Sequence, residues 1–267
     1  MEFLILTSLS KNNLMTQKIA LITGATAGIG FETALLLAEN NYNLILTGRR
    51  NERLQKIKTK IESASQSKVL TLNFDVRKKS EVDKALDSIP EEWKSVDVLI
   101  NNAGLAAGLD PINSADVEDW ETMIDTNIKG LLYVTQKVVN WMIDRKTGHI
   151  INLSSIAGKE PYANGSVYCG TKSAVISISR AMRIELLPYG IKVSSIAPGA
   201  VNTEFSLVRF RGNEERANKV YDGFIPLSGK DIADTVLFIL SRPDHVNIDD
   251  ILITPKAQGS ARDFFRN

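Results

Sequence analysis

Short runs that are apolar at nearly every position alternate along this chain with longer segments in which apolar residues recur at every third or fourth place. The runs at 18–23, 43–47, 69–74, 96–101, 149–154, 192–197 and 250–253 read as strands. The segments at 29–40, 52–63, 80–88, about 117–145, 166–187 and 231–240 read as helices. Strands so continuously apolar are covered on both faces, and helices between them demand right-handed parallel crossovers. The pattern therefore predicts an α/β fold, a doubly wound parallel sheet of about seven strands with helices on both faces. No repeat, low-complexity tract or linker interrupts it, so one domain is expected over residues 15–267. The segment before Met15 has an apolar run too short for a membrane span and lacks a basic start and a small-residue cleavage site. Residues 1–14 are expected to be a disordered extension.

What the sheet carries is first visible in T-G-A-T-A-G-I-G, residues 23–30, placed between the first strand and the first helix. A glycine-rich turn there offers backbone N–H groups and a helix N-terminus to a pyrophosphate, as in a Rossmann fold. Gly24 makes the turn, Gly28 permits close approach and Gly30 lets helix pack on strand, with Thr26 and Ile29 in the same loop. No Gly-Lys-Ser/Thr follows, which removes the P-loop. The spacing G-x-x-x-G-x-G also departs from G-x-G-x-x-G, and a purely structural turn stays open on this feature alone. The second strand ends in Gly48, Arg49 and Arg50 with no carboxylate in reach of a ribose 2′-hydroxyl. Arginine's planar fork suits a phosphate monoester, so the cofactor expected is NADP, unless both arginines are merely solvated.

Chemistry is suggested by Y-C-G-T-K. Tyr168 and Lys172 stand four apart at the start of a predicted helix and share one face. A lysine ammonium near a phenol favours the phenolate, which could pass a proton to or from an alcohol. Ser155, at a strand end thirteen residues earlier, could hydrogen-bond the same oxygen as charge develops on it. Asn127, within the long preceding helix, could hold water beside Lys172. Each has a plainer alternative: surface packing for the Tyr–Lys pair, a cap for the serine, a solvated amide for the asparagine.

Composition narrows the remaining classes. A net charge of +1 gives no general attraction to nucleic acid or anionic lipid. A single cysteine, Cys169, excludes an internal disulfide and suits a reducing cytosol, and two separated histidines offer little for zinc. No metal, nucleic acid or membrane partner is expected.

Taken in order, T-G-A-T-A-G-I-G, N-N-A-G, Asn127, Ser155, Y-C-G-T-K and P-G-A-V-N-T resemble the short-chain dehydrogenase/reductase family from about Lys18 to the C-terminus. The resemblance implies that Asn127, Ser155, Tyr168 and Lys172 form a catalytic tetrad, with Tyr168 and Lys172 also meeting the cofactor. It implies further that Asp75 and Val76 flank the adenine, that Asn101–Gly104, with Asn102, Ala103 and Gly104 at the cofactor, supports the sheet centre, that Pro198, Gly199 and Val201 meet the cofactor, and that Thr203 approaches the nicotinamide amide. Many NADP-using members carry a basic residue just before the middle glycine, where this chain has Ala27, so cofactor preference rests on Arg49 and Arg50. V-E-D-W-E-T-M-I-D-T-N and N-T-E-F-S-L-V-R-F-R-G-N-E-E-R-A are also similar to NADP-dependent 3-hydroxy acid dehydrogenases that oxidise L-serine and L-allo-threonine. That likeness implies small hydroxy acids such as 3-hydroxypropionate as substrates. The alternative is a reductase of bulkier carbonyls such as acyl-thioesters, sugars or xenobiotic ketones, and a non-catalytic NADP sensor would not need the tetrad.

A substrate carboxylate would require a cation. Arg209 and Arg211 fall in the segment 203–230, where the family carries its substrate-covering loop and helices, and either could bind the carboxylate unless it pairs with Glu214 or Glu215 or faces solvent. Gly212 and Asn213 read as a turn there. Ser154 and Tyr162 are further candidates for the pocket wall. Phe264 and Phe265 near the chain end could dock on a neighbouring subunit or on their own, and the family resemblance implies a homotetramer.

Overall fold

The computed structural model describes residues 17–267, so the expectation for residues 1–14 lies outside the described residues. Seven strands form one parallel sheet in the order β3-β2-β1-β4-β5-β6-β7. They are β1 (Ile19–Ile22), β2 (Asn43–Gly48), β3 (Val69–Asn73), β4 (Val96–Asn101), β5 (Gly148–Leu153), β6 (Ile191–Pro198) and β7 (Asp250–Ile253). The expected strands are all present, and the sheet is the doubly wound α/β architecture that the apolar runs predict. Alternation along β1 explains why both faces had to be covered. Ala20 and Ile22 pack with α1 (Gly28–Glu39), α2 (Asn51–Ala64) and, further along the chain, the helix Gly229–Leu240, whereas Ile19 and Leu21 enter a second core with Val134, Val138 and Met142.

On that second face lie α3 (Lys79–Asp87) and a segment that departs from the expected single helix over 117–145. It is broken into α4 (Val117–Ile124), a π-helical stretch Asp125–Gly130, and α5 (Leu131–Arg145). The wider turn rotates the residues beyond it relative to an α-helix and buries Thr126 and Asn127. The solvated-amide alternative for Asn127 is thereby removed. After β5 the helix α6 (Ser166–Leu186) begins with Tyr168, Cys169, Thr171 and Lys172 buried on its inner face.

Beyond β6 the chain leaves the sheet, forms α7 (Phe205–Arg209) and α8 (Glu214–Lys219), and returns to α9 (Gly229–Leu240). The turn expected at Gly212 and Asn213 is there: Gly212 has φ +87° and the Asn213 side chain accepts from Arg216 N at α8's start. The excursion is pinched at its neck, where Val201 pairs with Leu227 and Asn202 N donates to Leu227 O at 2.7 Å. A capping box of Ser228 and Asp231 then starts α9. The chain end folds onto its own subunit, with Phe264 4.8 Å from Phe224 between ring centroids, while Phe265 stays exposed. No helix among the described residues is long and apolar enough to cross a membrane.

Candidate active site

The sheet order changes direction between β1 and β4, and a cleft of about 1490 Å³, its open mouth included, lies at the C-terminal ends of these strands. Its floor is the loop after β1. Gly24 and Gly28 have φ of +66° and +53°, a region that L side chains rarely adopt. A Cβ on Gly24 would lie 2.9 Å from Ala103 Cα, and one on Gly28 would lie 3.0 Å from Thr203 Cβ. Ala27 caps α1 without any side-chain bond, so the first N–H groups of that helix remain available to the cleft. Gly30 does not line the cleft; it packs beneath it, against Asn102 Nδ2 and Gly24 O. Gly24, Thr26, Gly28, Ile29, Arg49, Arg50, Asp75, Val76, Asn102, Ala103, Gly104, Pro198, Gly199, Val201 and Thr203 all line it, and Thr126, absent from the expected set, joins them.

At the β2 end the two arginines divide. Arg50 donates to Thr26 Oγ1 through Nε and Nη2, at 3.1 and 2.8 Å, and through Nη1 to Glu204 Oε2 at 2.7 Å. Arg49 is exposed beside Asp75 and lends that carboxylate positive charge. Burial works against the charge on Asp75, but hydrogen bonds from Arg77 hold its carboxyl below the usual range. The glycine floor, the open helix start and a guanidinium at the far end fit a dinucleotide carrying a 2′-phosphate.

At the other end stand the four residues of the expected tetrad. Lys172 donates to Leu153 O at 2.9 Å, and a Cβ on Gly104 would come within 3.2 Å of its Nζ and 3.3 Å of Asn127 Oδ1. Gly104 is thus the space that ammonium and amide share. Asn127 accepts from Leu105 N at 2.9 Å and donates to Leu105 O at 2.8 Å and Thr171 Oγ1 at 3.0 Å. Its amide clamps the loop after β4 to α6, a role that spacing alone did not reveal. Ser155 accepts from Ala157 N at 3.1 Å, donates to Pro198 O at 3.4 Å, and lies close enough to Tyr168 to favour its phenolate. Ser154 turns the other way, donating to Lys172 O at 2.8 Å.

Charge in this pocket is set by burial first. Desolvation pushes Lys172 from 10.5 down to about 8. It pushes the Tyr168 phenol above its ordinary value, while the Ser155 hydroxyl and the nearby Arg209 cation pull the other way. The lowering expected from Lys172 is not what the protein's own groups produce: burial dominates, and the groups that pull the phenol down are Ser155 and Arg209.

The two candidate carboxylate partners separate clearly. Arg209 lies 5.6 Å from the Tyr168 ring centroid, fixed by bonds from Nε to Gly108 O and Nη1 to the Tyr162 hydroxyl, both 3.0 Å. Its Nη2 edge is used by neither bond. Arg211 instead points to α4, bonding Asp116 and Asp119 at 2.9 Å each, and not Glu214 or Glu215. A backbone φ of +52° at Arg211 turns it away from Arg209. Phe205 completes the pocket, its ring 5.7 Å from that of Tyr168.

The sequence pattern described as short chain dehydrogenase matches residues 18–213. The chain is 46% identical over 244 residues to the NADP-dependent 3-hydroxy acid dehydrogenase YdfG of Salmonella typhi, spanning 91% of this chain and 97% of that one. To the NADP-dependent 3-hydroxy acid dehydrogenase of Schizosaccharomyces pombe it is 41% identical over 250 residues, or 93% and 96% of the two chains. Its fold superimposes on the closed form of serine dehydrogenase complexed with NADP+ with a TM-score of 0.87, at 42% identity over 93% of this chain and 99% of that one.

Proposed function

Because the chain belongs to the short-chain dehydrogenase family, it is an oxidoreductase acting on CH–OH groups with NADP, and we propose that the alcohol it oxidises is the C3 hydroxyl of a small 3-hydroxy acid. Arg209 carries this reading: it is a cation held rigidly beside Tyr168 with one edge of its fork unused. In a 3-hydroxy acid the carboxylate carbon is about 2.5 Å from C3, two C–C bonds away. A hydroxyl at Tyr168 therefore brings the carboxylate within reach of that edge, where Tyr162 and Arg209 orient it.

Bound NADP supplies the acceptor for the electron pair of the C3–H bond. Gly24, Thr26, Gly28 and Ile29 would cradle its phosphates, Arg49 would face the 2′-phosphate with Arg50 held beside it by Thr26 and Glu204, and Asp75 and Val76 would flank the adenine. In oxidation the Tyr168 phenolate takes the proton from the substrate hydroxyl, and in reduction the phenol gives it back and the phenolate re-forms. Ser155 hydrogen-bonds the same oxygen and holds the alcohol in line. The Lys172 ammonium stabilises the phenolate that forms, and Asn127 keeps the loop after β4 in place beside it. Arg211, bound to two aspartates, ties the covering segment to α4.

Initial rates with L-serine, L-allo-threonine, 3-hydroxypropionate and 3-hydroxybutyrate, each beside its methyl ester, test the reading. The acids should turn over with NADP and the esters should fail. Equal turnover of both would direct attention to bulkier carbonyls. The reading extends to a homotetramer in the cytoplasm, supported by the exposed Ile184, Leu187 and Phe265 and by the buried Cys169. A monomer mass in sedimentation would remove the tetramer.

A further inference from the structure

Three consecutive residues after β6 touch three different walls of the cleft. Thr203 lies against Gly28 of the glycine-rich loop, where a Cβ would be only 3.0 Å away. Phe205 sets its ring 5.7 Å from that of Tyr168, tilted by 57°. Between them the Glu204 carboxylate spans to the opposite rim, one oxygen 2.7 Å from Arg50 Nη1 and the other 2.6 Å from Arg53 Nη1. The hydrogen bond from Arg50, and after it that from Arg53, hold this carboxyl below its usual range against the opposing effect of burial. Arg50 is in turn anchored on Thr26. Glu204 is more than 150 residues from these partners in sequence, so the contact joins the start of the covering segment to the β2–α2 corner across the mouth of the cleft.

We propose that Glu204 is a positioning residue, a clasp that straps the dinucleotide into the cleft and, through Phe205, fixes the Tyr168 ring. The clasp governs how fast the cofactor leaves whether or not it carries a 2′-phosphate, and it does not depend on which hydroxy acid reacts. Both oxygens of the carboxylate are engaged, so the neutral isostere Glu204→Gln loses the charge on both bonds at once. Arg53→Met opens the same clasp from the other side without touching a residue that lines the cleft.

The test is the release rate of reduced cofactor, followed by energy transfer from the protein's tryptophans to the nicotinamide. Glu204→Gln should speed release of NADPH and NADH by the same factor, about tenfold for two partly exposed charged bonds. Arg53→Met should give a smaller increase of the same kind and add little to Glu204→Gln in the double variant. Because the clasp is half exposed, 1 M salt should hasten NADH release from the unaltered protein by a larger factor than from Glu204→Gln, which keeps only the screened contacts of the phosphates. Unchanged release rates would overturn the proposal. So would faster release of NADPH alone, since Glu204 would then serve only to order the phosphate end. If Glu204→Gln does not fold, Arg53→Met and the salt dependence decide the matter.

Discussion

Tyr168 and Lys172 are both buried, and burial pushes each toward its neutral form. Burial moves Lys172 to about 8, so below that pH the folded chain keeps an ammonium there at a cost of about 3 kcal/mol. The cost fades as the pH rises from 8 to 10.5, because the folded chain sheds the proton before the unfolded one does. Lys172→Met should therefore abolish turnover yet melt roughly 5 °C higher at pH 7, after about 1 kcal/mol is lost at the Leu153 carbonyl, with the gain gone by pH 10. Differential scanning calorimetry at both pH values checks it. Arg209→Met should raise KM for a hydroxy acid by about tenfold or more with a smaller change in kcat; an unchanged KM would move the carboxylate contact elsewhere. At this scale the sequence was legible wherever partners were near neighbours. Tyr168 and Lys172 announced themselves by spacing, whereas the bonds of Arg50 to Glu204 and of Arg211 to Asp116 and Asp119 join residues roughly a hundred or more positions apart. Nothing local marks such pairs.

Elements were legible to the degree that their apolar period was regular. The strands stood out because both their faces are buried, but the segment 117–145 read as one helix because an isolated glycine such as Gly130 does not by itself end a helical pattern and the π turn shifts the apolar face only gradually. That turn has a testable role. Gly130 closes it against Val76, where an added Cβ would meet Val76 Cγ2 at 2.8 Å and the backbone oxygen at 3.2 Å. Gly130→Ala should push Val76 into the adenine end of the cleft and raise KM for NADP several-fold, with kcat for saturated enzyme little changed. Isothermal titration with NADP would register the same loss directly; an unaltered Kd would mean that this wall yields freely.

For the whole molecule, protonation gives the clearest overall signature. With Tyr168 and Lys172 in the roles proposed above, reduction of a ketone needs the phenol protonated and the lysine charged; burial keeps the phenol protonated well into alkaline pH but releases the lysine proton near 8. The rate of reduction should be flat at neutral pH and fall as the pH rises through about 8; a fall beginning only near 10 would show that Lys172 is not the titrating group. The parallel architecture and the position of its cleft were readable from the alternation of apolar runs and helical segments, while the segment 203–230 was marked out only by the family resemblance, since its short helices have too few turns to show a period. The single bridge at its base, Val201 with Leu227, makes that segment a loop whose two ends meet. Such a loop is an exchangeable cassette: recombination between relatives can replace it without opening the sheet, provided Glu204, Arg209 and Arg211 find their counterparts. A lineage built this way can change its diet one cassette at a time while inheriting the same catalytic floor.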